Sequence, residues 1–262
     1  MNGSERVYHT SFDRFLERFA PLGVTRERFA VAYGLAENTL MATHTIPGKP
    51  VAYDTIDRDR LELEQIAMPA TADAQDPVVH VSCGPPLQGV EVKIVGDDNL
   101  MSLPLRHVGQ VAIRSESLFS GYYRHPELNE SLFKAGWLLT GDMGYLADGE
   151  LYIVGRLKDL IINGGKNIYP ADIEEIVSTV PGVRPGRVVV FGIPDETEGT
   201  ELIAVVVEVD TDETEKKAEI ERQIRRAERQ LVAALVARAQ RSAAGLAQRQ
   251  PCRRRHIGKQ LS

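Results

Sequence analysis

Residues 137–175 read WLLTGDMGYLADGELYIVGRLKDLIINGGKNIYPADIEE, a stretch in which polar residues able to do chemistry sit at the ends of short apolar runs. Residues 137–139 predict a strand stopped by Thr140-Gly141-Asp142, which leaves the Asp142 carboxylate at a strand-to-turn junction, a binding position rather than a solvated face. Two apolar runs, 143–146 and 151–154, are joined through Asp148-Gly149, a dipeptide that marks a hairpin. Arg156 and Lys158 follow at once. A third run, 160–162, ends in Gly164-Gly165, where the backbone can turn tightly or let a ligand come close. Tyr169-Pro170-Ala171-Asp172 then opens a helix whose Ile173, Ile176, Val177 and Val180 recur at i, i+3, i+4 and i+7. For such residues taken singly the blander reading is the commoner one: Asp142 caps a turn and Arg156 pairs with a surface carboxylate.

The chain has 262 residues, is 43% hydrophobic and carries a formal charge of −6, enough for one large domain or two modest ones, each with its own core. An acidic balance gives no general attraction to nucleic acid or to an anionic membrane. From Lys216 onward basic residues outnumber acidic ones, so the tail is basic and the body more acidic than the total. Cys83 and Cys252 are the only cysteines and suggest neither a disulfide framework nor a metal site, which makes a reducing cytoplasm the expected setting. No apolar run approaches the roughly 18 residues that span a bilayer, and the opening MNGSERVYHT has no apolar signal region. His44, His80, His107 and His125 lack metal-ligand spacing and read as structural.

Upstream, Asn2-Gly3-Ser4-Glu5 reads as a turn, and Phe12, Phe15, Leu16 and Phe19 predict a helix with an aromatic core face, stopped by Pro21. Residues 29–33 predict a short strand running into Gly34-Leu35-Ala36-Glu37. The segment 45–86 is weakly patterned, with 78–81 its clearest strand and 67–76 a surface loop. Val90, Val92 and Ile94 alternate with polar residues, as do Val111 and Ile113, which predicts two half-buried strands paired in a small β-subdomain. Gly121-Tyr122-Tyr123 and Pro126-Glu127-Leu128 read as an architectural turn and helix. Farther on, 188–193 and 202–209 are continuous apolar runs, as in strands covered on both faces. Residues 213–240 predict a long helix with Ile220, Ile224, Leu231 and Leu235 on one side.

The order of these motifs, from Asn2-Gly3 through Tyr33-Gly34 and GYY to TGD, GR, LKD and GGK, resembles that of the adenylate-forming (AMP-binding) acyl ligases, and most closely the fatty acyl-AMP ligases and acyl-CoA synthetases. The resemblance implies an α/β and α+β architecture: the later part of the large domain with a small β-subdomain over 1–156, a small mobile domain over 157–240, and a basic tail over 241–262 with the composition of disordered sequence. It also implies an incomplete chain, because the family's Gly/Ser/Thr-rich phosphate loop lies upstream of the strand matching Tyr33 and none precedes residue 33 here. The implied reaction joins a fatty or other carboxylic acid to ATP, giving acyl-AMP and pyrophosphate, and then passes the acyl group to the thiol of CoA or of a carrier protein's phosphopantetheine. By the same resemblance Asn2, Gly3, Tyr33, Gly34, Asp142, Ile153 and Arg156 hold the nucleotide, with Tyr33 against the adenine and Asp142 on the ribose hydroxyls. Glu37 both contacts the nucleotide and helps to hold Mg²⁺, Lys158 is the hinge, and Gly164-Gly165 line the approach of the thiol. Lys259, in Gly258-Lys259, matches the family's terminal catalytic lysine, although no apolar strand leads into it. Two other classes fit the residues alone: a noncatalytic remnant that binds a partner, and an adaptor touching nucleic acid through the arginines at 253–255. That short basic run, without interleaved aromatics, specifies no nucleic-acid site.

Overall fold

The computed structural model describes residues 7–74, 76–96, 100–163, 166–195, 197 and 199–230. In chain order its elements are α1 (His9–Phe19), β1 (Ala32–Gly34), β2 (Met41–His44), β3 (Tyr53–Asp57), α2 (Arg58–Glu64), β4 (Pro77–Val81), β5 (Val90–Val95) and β6 (Gly109–Ser115). There follow α3 (Pro126–Leu132), β7 (Phe133–Lys134), β8 (Trp137–Ala147), β9 (Glu150–Arg156), β10 (Ile161–Asn163), β11 (Lys166–Ile168), α4 (Pro170–Val177), β12 (Val183–Asp195) and β13 (Thr200–Val209). A further helix, α5, occupies 214–230. The part of the long-helix prediction beyond 230, and the tail, lie outside the described residues.

Asp148 and Gly149, at φ +53° and +80°, both take the left-handed conformation that a two-residue hairpin turn demands, and β8 and β9 pair antiparallel from Ala147↔Glu150 down to Asp142↔Arg156. On its other edge β8 pairs with β6, and β6 pairs with β5 as expected, but β6 is not half-buried, since Val111, Ala112 and Ile113 are all fully buried. Short β7 shares the β9 edge at the start of β8. Side chains leave β9 alternately to two cores. Leu151 packs with Phe12, Val31, Tyr33, Val111 and Ile113 on one face, while Tyr152 and Val154 pack with Ile56, Leu61, Met143 and Tyr145 on the other. A third core is drawn from residues 161–224, with Ile161, Ile173, Val177, Val190 and Ile220 among its buried members.

Several expectations need correction. Thr140-Gly141-Asp142 does not stop a strand: β8 runs through it for 11 residues, and Gly141, at φ +75°, supplies a bulge instead of a turn. Residues 29–30 precede the strand, which begins at Ala32. In α1 only Phe12 is buried; Phe15 is 47% exposed and packs its ring against Phe19 and Phe29 at the surface. Ala67, within the predicted surface loop, is fully buried, with its N–H donating to the Arg106 carbonyl. β12 and β13 form a two-stranded antiparallel ladder that is covered on one face only, since Val189, Phe191, Ile193, Leu202 and Val206 are exposed.

The body also holds a buried carboxylate that sequence patterning gives no sign of. Asp54 accepts hydrogen bonds from the Tyr145 hydroxyl and from Arg106 Nη1, both at 2.9 Å, and Arg106 also donates to the Ala67 carbonyl at 2.8 Å. Removing one partner of such a pair strands the other charge in the interior. Arg106→Ala is therefore expected to cost about 3 kcal/mol, the low end of the range for buried pairs because Arg106 keeps some contact with water. Urea denaturation reads it directly. A loss under about 0.5 kcal/mol, the scale of an ordinary surface change, would show that the pair is not structural.

Candidate functional site

The bulge in β8 decides where Asp142 goes. On β6 one residue, Val111, separates Gln110 from Ala112, whereas their partners on β8, Met143 and Leu139, are separated by Thr140, Gly141 and Asp142. Thr140 secures the extra residues, its hydroxyl donating to the Val111 carbonyl at 2.9 Å and accepting from the Asp142 N–H at 3.1 Å. Asp142 is 7% exposed. Its Oδ2 accepts from the Tyr33 hydroxyl at 2.7 Å and its Oδ1 from Arg156 Nε at 2.8 Å, Arg156 being its cross-strand neighbour on β9. Burial, and then the Asp142 charge, push the Tyr33 phenol far above its ordinary range, so it serves as a neutral donor. The same carboxylate raises the Arg156 guanidinium further.

These groups line a cavity of about 700 Å³. Tyr33, Gly34, Asp142, Ile153, Arg156 and Lys158 of the expected site residues all border it. It is also lined by Tyr169, Glu174 and the 189–192 segment of β12, which sequence reasoning did not include. His80, read as structural, is buried, faces Tyr145 at 5.8 Å and also borders the cavity. Tyr33 is the middle residue of β1, and its ring packs into the first core with its hydroxyl at Asp142. Gly34 is required by the fold, since a Cβ there would lie 1.8 Å from the Leu40 carbonyl oxygen. Lys158 sits in a one-turn 3₁₀ segment, Leu157–Asp159, which links β9 to β10. Asn2, Gly3, Gly164, Gly165 and Lys259 lie outside the described residues.

Glu37 stands apart from this cavity lining. It occupies a 3₁₀ turn, Ala36–Asn38, and its Oε1 accepts a hydrogen bond from the Tyr122 hydroxyl. Among the described residues no three His, Cys, Asp or Glu side chains gather as a metal cage. A single half-buried carboxylate suits Mg²⁺, which takes one or two carboxylates and fills its remaining positions with phosphate oxygens and water.

Asp54 makes an instructive contrast. It too pairs with a tyrosine and an arginine, but it does not border the cavity. The same chemistry is structural in one place and presented to a ligand-sized space in the other.

Residues 1–123 match the AMP-binding enzyme family. The chain is 34% identical over 221 residues to a long-chain-fatty-acid–AMP ligase of Mycobacterium marinum, covering 80% of this chain and 37% of that protein. It is 35% identical over 219 residues to a medium-chain-fatty-acid–[acyl-carrier-protein] ligase of Moorena producens, covering 80% of this chain and 37% of that protein. A solved structure from work on the fatty acyl-adenylate ligases of E. coli and L. pneumophila superposes with a TM-score of 0.77 at 32% identity, over 85% of this chain and 39% of its own. The chain thus spans less than two fifths of the length of each of these proteins. The family match over residues 1–123, the relatives and the shared fold agree with the order of the motifs: over about four fifths of its length the chain is similar to part of the adenylate-forming acyl ligases.

Proposed function

We propose that these residues form the ribose-holding wall and the small domain of an ATP-dependent acyl ligase acting on a fatty-type carboxylic acid. The observation that carries this reading is the Asp142 carboxylate, presented by a strand bulge to a 700 Å³ cavity and already aligned by Tyr33 and Arg156. An ionised carboxylate offers about four acceptor positions, of which two are used here, so a ribose diol adds to the network without displacing it. Arg156 spends only Nε on Asp142, which leaves its terminal nitrogens for ribose or phosphate oxygens through charge-assisted bonds. Tyr33 also borders this cavity, and adenine would lie beside it. Glu37 would hold Mg²⁺, whose contribution when bound is to neutralise charge on the phosphates.

The small domain would begin after Arg156, and Lys158, in its short exposed link, would absorb the rotation between the two half-reactions. Gly164-Gly165 at the thiol approach, Lys259 as terminal lysine and Asn2-Gly3 at the nucleotide complete the proposed site. The acceptor is the thiol of CoA or of a carrier protein. A carrier-protein acceptor is favoured by the relative named for ligation to acyl carrier protein. No described helix is long and apolar enough to cross a membrane, and a cytoplasmic setting is part of the proposal.

The test joins residues 1–262 to a phosphate loop supplied ahead of residue 1 and adds ATP, Mg²⁺ and a fatty acid. Acid-dependent acyl-adenylate, read by mass spectrometry, is the expected product. A folded, AMP-binding protein of this kind that forms none with any fatty acid would overturn the reading.

A further inference from the structure

The segment from Ser115 to Phe133, which contains the turn Gly121-Tyr122-Tyr123 and the helix at Pro126-Glu127-Leu128 read as architectural, is built onto the turn that carries Glu37. Its ties run through both backbone and side chains. The Phe119 N–H donates to the Glu37 carbonyl at 2.8 Å, Thr39 Oγ1 donates to the Ser117 carbonyl at 3.0 Å, and the Ser115 hydroxyl donates to Asn38 Oδ1. The Tyr122 hydroxyl reaches Glu37 Oε1 itself, across 85 residues of sequence.

Tyr122 is in turn held at both ends. The Asn129 side chain, on α3, clasps its backbone twice: Oδ1 accepts from the Tyr122 N–H at 2.7 Å and Nδ2 donates to the Tyr122 carbonyl at 2.9 Å. Gly121 makes that clasp possible. It sits at φ +129°, and a Cβ there would come within 2.8 Å of the Asn129 amide. The Phe119 ring then meets the Tyr122 ring edge to face at 4.9 Å.

We propose that Tyr122 is a positioning residue for Glu37: its hydroxyl holds Oε1, with Asn129 fixing Tyr122, so that the carboxylate offers its other oxygen to a divalent cation in a single orientation. This rests on the reading of Glu37 as a magnesium carboxylate. The physical case is one of pre-ordering. A free glutamate side chain loses up to about 2 kcal/mol of rotamer freedom when it is fixed, and a partner that fixes it beforehand removes that cost from the binding step. Hydrogen-bonded partners of ligating carboxylates commonly change metal affinity by about 10–100-fold when removed. Tyr122 is 37% exposed, which places its effect at the lower end.

The test uses Mn²⁺ as the probe, because it takes the same oxygen ligands and is counted when free by electron paramagnetic resonance. Protein saturated with AMP is titrated with Mn²⁺ for the wild type, Glu37→Gln, Tyr122→Phe and Asn129→Ala. Glu37→Gln should abolish the protein-dependent binding. Tyr122→Phe should weaken it about tenfold, and Asn129→Ala by a similar factor, while the metal-free AMP affinity and the unfolding midpoint of Tyr122→Phe stay at the wild-type values. Loss in Glu37→Gln with unchanged Mn²⁺ affinity in Tyr122→Phe overturns the positioning role and leaves the metal reading standing. Absence of Mn²⁺ binding in the wild type, or its persistence in Glu37→Gln, overturns the metal reading and the inference with it.

Discussion

Replacing Asp142 by alanine is expected to weaken AMP binding about 100-fold. A carboxylate that takes both hydroxyls of a ribose makes two hydrogen bonds to a charged acceptor, each of about 1.5–3 kcal/mol, and about 2.7 kcal/mol already corresponds to a factor of 100. The substitution also leaves the Tyr33 hydroxyl buried without its acceptor and frees Arg156 from its nearest anion. Some loss of stability is therefore expected, and Asp142→Asn, which keeps one oxygen acceptor and nearly the same volume, separates the two effects. Calorimetry with AMP and with 2′,3′-dideoxy-AMP reads the ribose contribution alone. Wild-type protein should prefer AMP strongly, and Asp142→Ala should bind the two alike. A folded Asp142→Ala protein whose AMP affinity stays within threefold of wild type would remove Asp142 from the ribose.

Residues 1–262 alone are expected to form acyl-adenylate at least about 10²–10³-fold more slowly than the same residues joined to a phosphate loop. During adenylation negative charge builds at the α-phosphorus and on the departing pyrophosphate, and removing a single preorganised donor from such a site commonly costs about 10²–10³ in rate. A Gly-rich loop brings several backbone N–H groups at once. The cavity at Asp142 offers Arg156 and Lys158 as its cations, but its other charged lining groups, Asp159, Glu174 and Glu201, are acidic and do not favour a polyphosphate. AMP binding, which draws on Asp142 and Arg156, should survive without the loop. Mass spectrometry of product formed per minute with ATP and a fatty acid compares the two polypeptides, and similar rates would show that these residues hold the polyphosphate by themselves.

What could be read from sequence was what local chemistry dictates. Asp148-Gly149 selects its turn by backbone conformation alone, and the Tyr169-Pro170 start with its apolar repeat makes α4 equally plain. The bulge at Thr140-Gly141-Asp142 was legible as a special position but not as a bulge, because a glycine at positive φ serves a strand end and a mid-strand insertion equally well. Helix α2 does carry a sequence signal, the cap residue Asp57, which accepts from the Arg60 N–H at 3.1 Å. The exposed outer face of β12 and β13 could not be told from a buried one, since valine and isoleucine fill both sides of the ladder.

The contacts that orient the site belong to another class. Tyr33 and Asp142 are 109 residues apart, and Glu37 and Tyr122 are 85 apart. No periodicity or capping rule reaches across such distances. The sequence named Tyr33, Glu37 and Asp142 through motif order, yet only the fold shows that the Tyr33 hydroxyl donates to Asp142 and that the GYY turn is hydrogen-bonded to Glu37.

A crystal structure of the protein with bound AMP tests most directly whether Asp142, aligned by Tyr33 and Arg156, receives the ribose of an adenine nucleotide. Both ribose hydroxyls are expected within about 3 Å of the Asp142 carboxylate oxygens, with the Tyr33 and Arg156 hydrogen bonds kept. AMP ordered elsewhere on the protein, with Asp142 still bonded only to Tyr33 and Arg156, would contradict it.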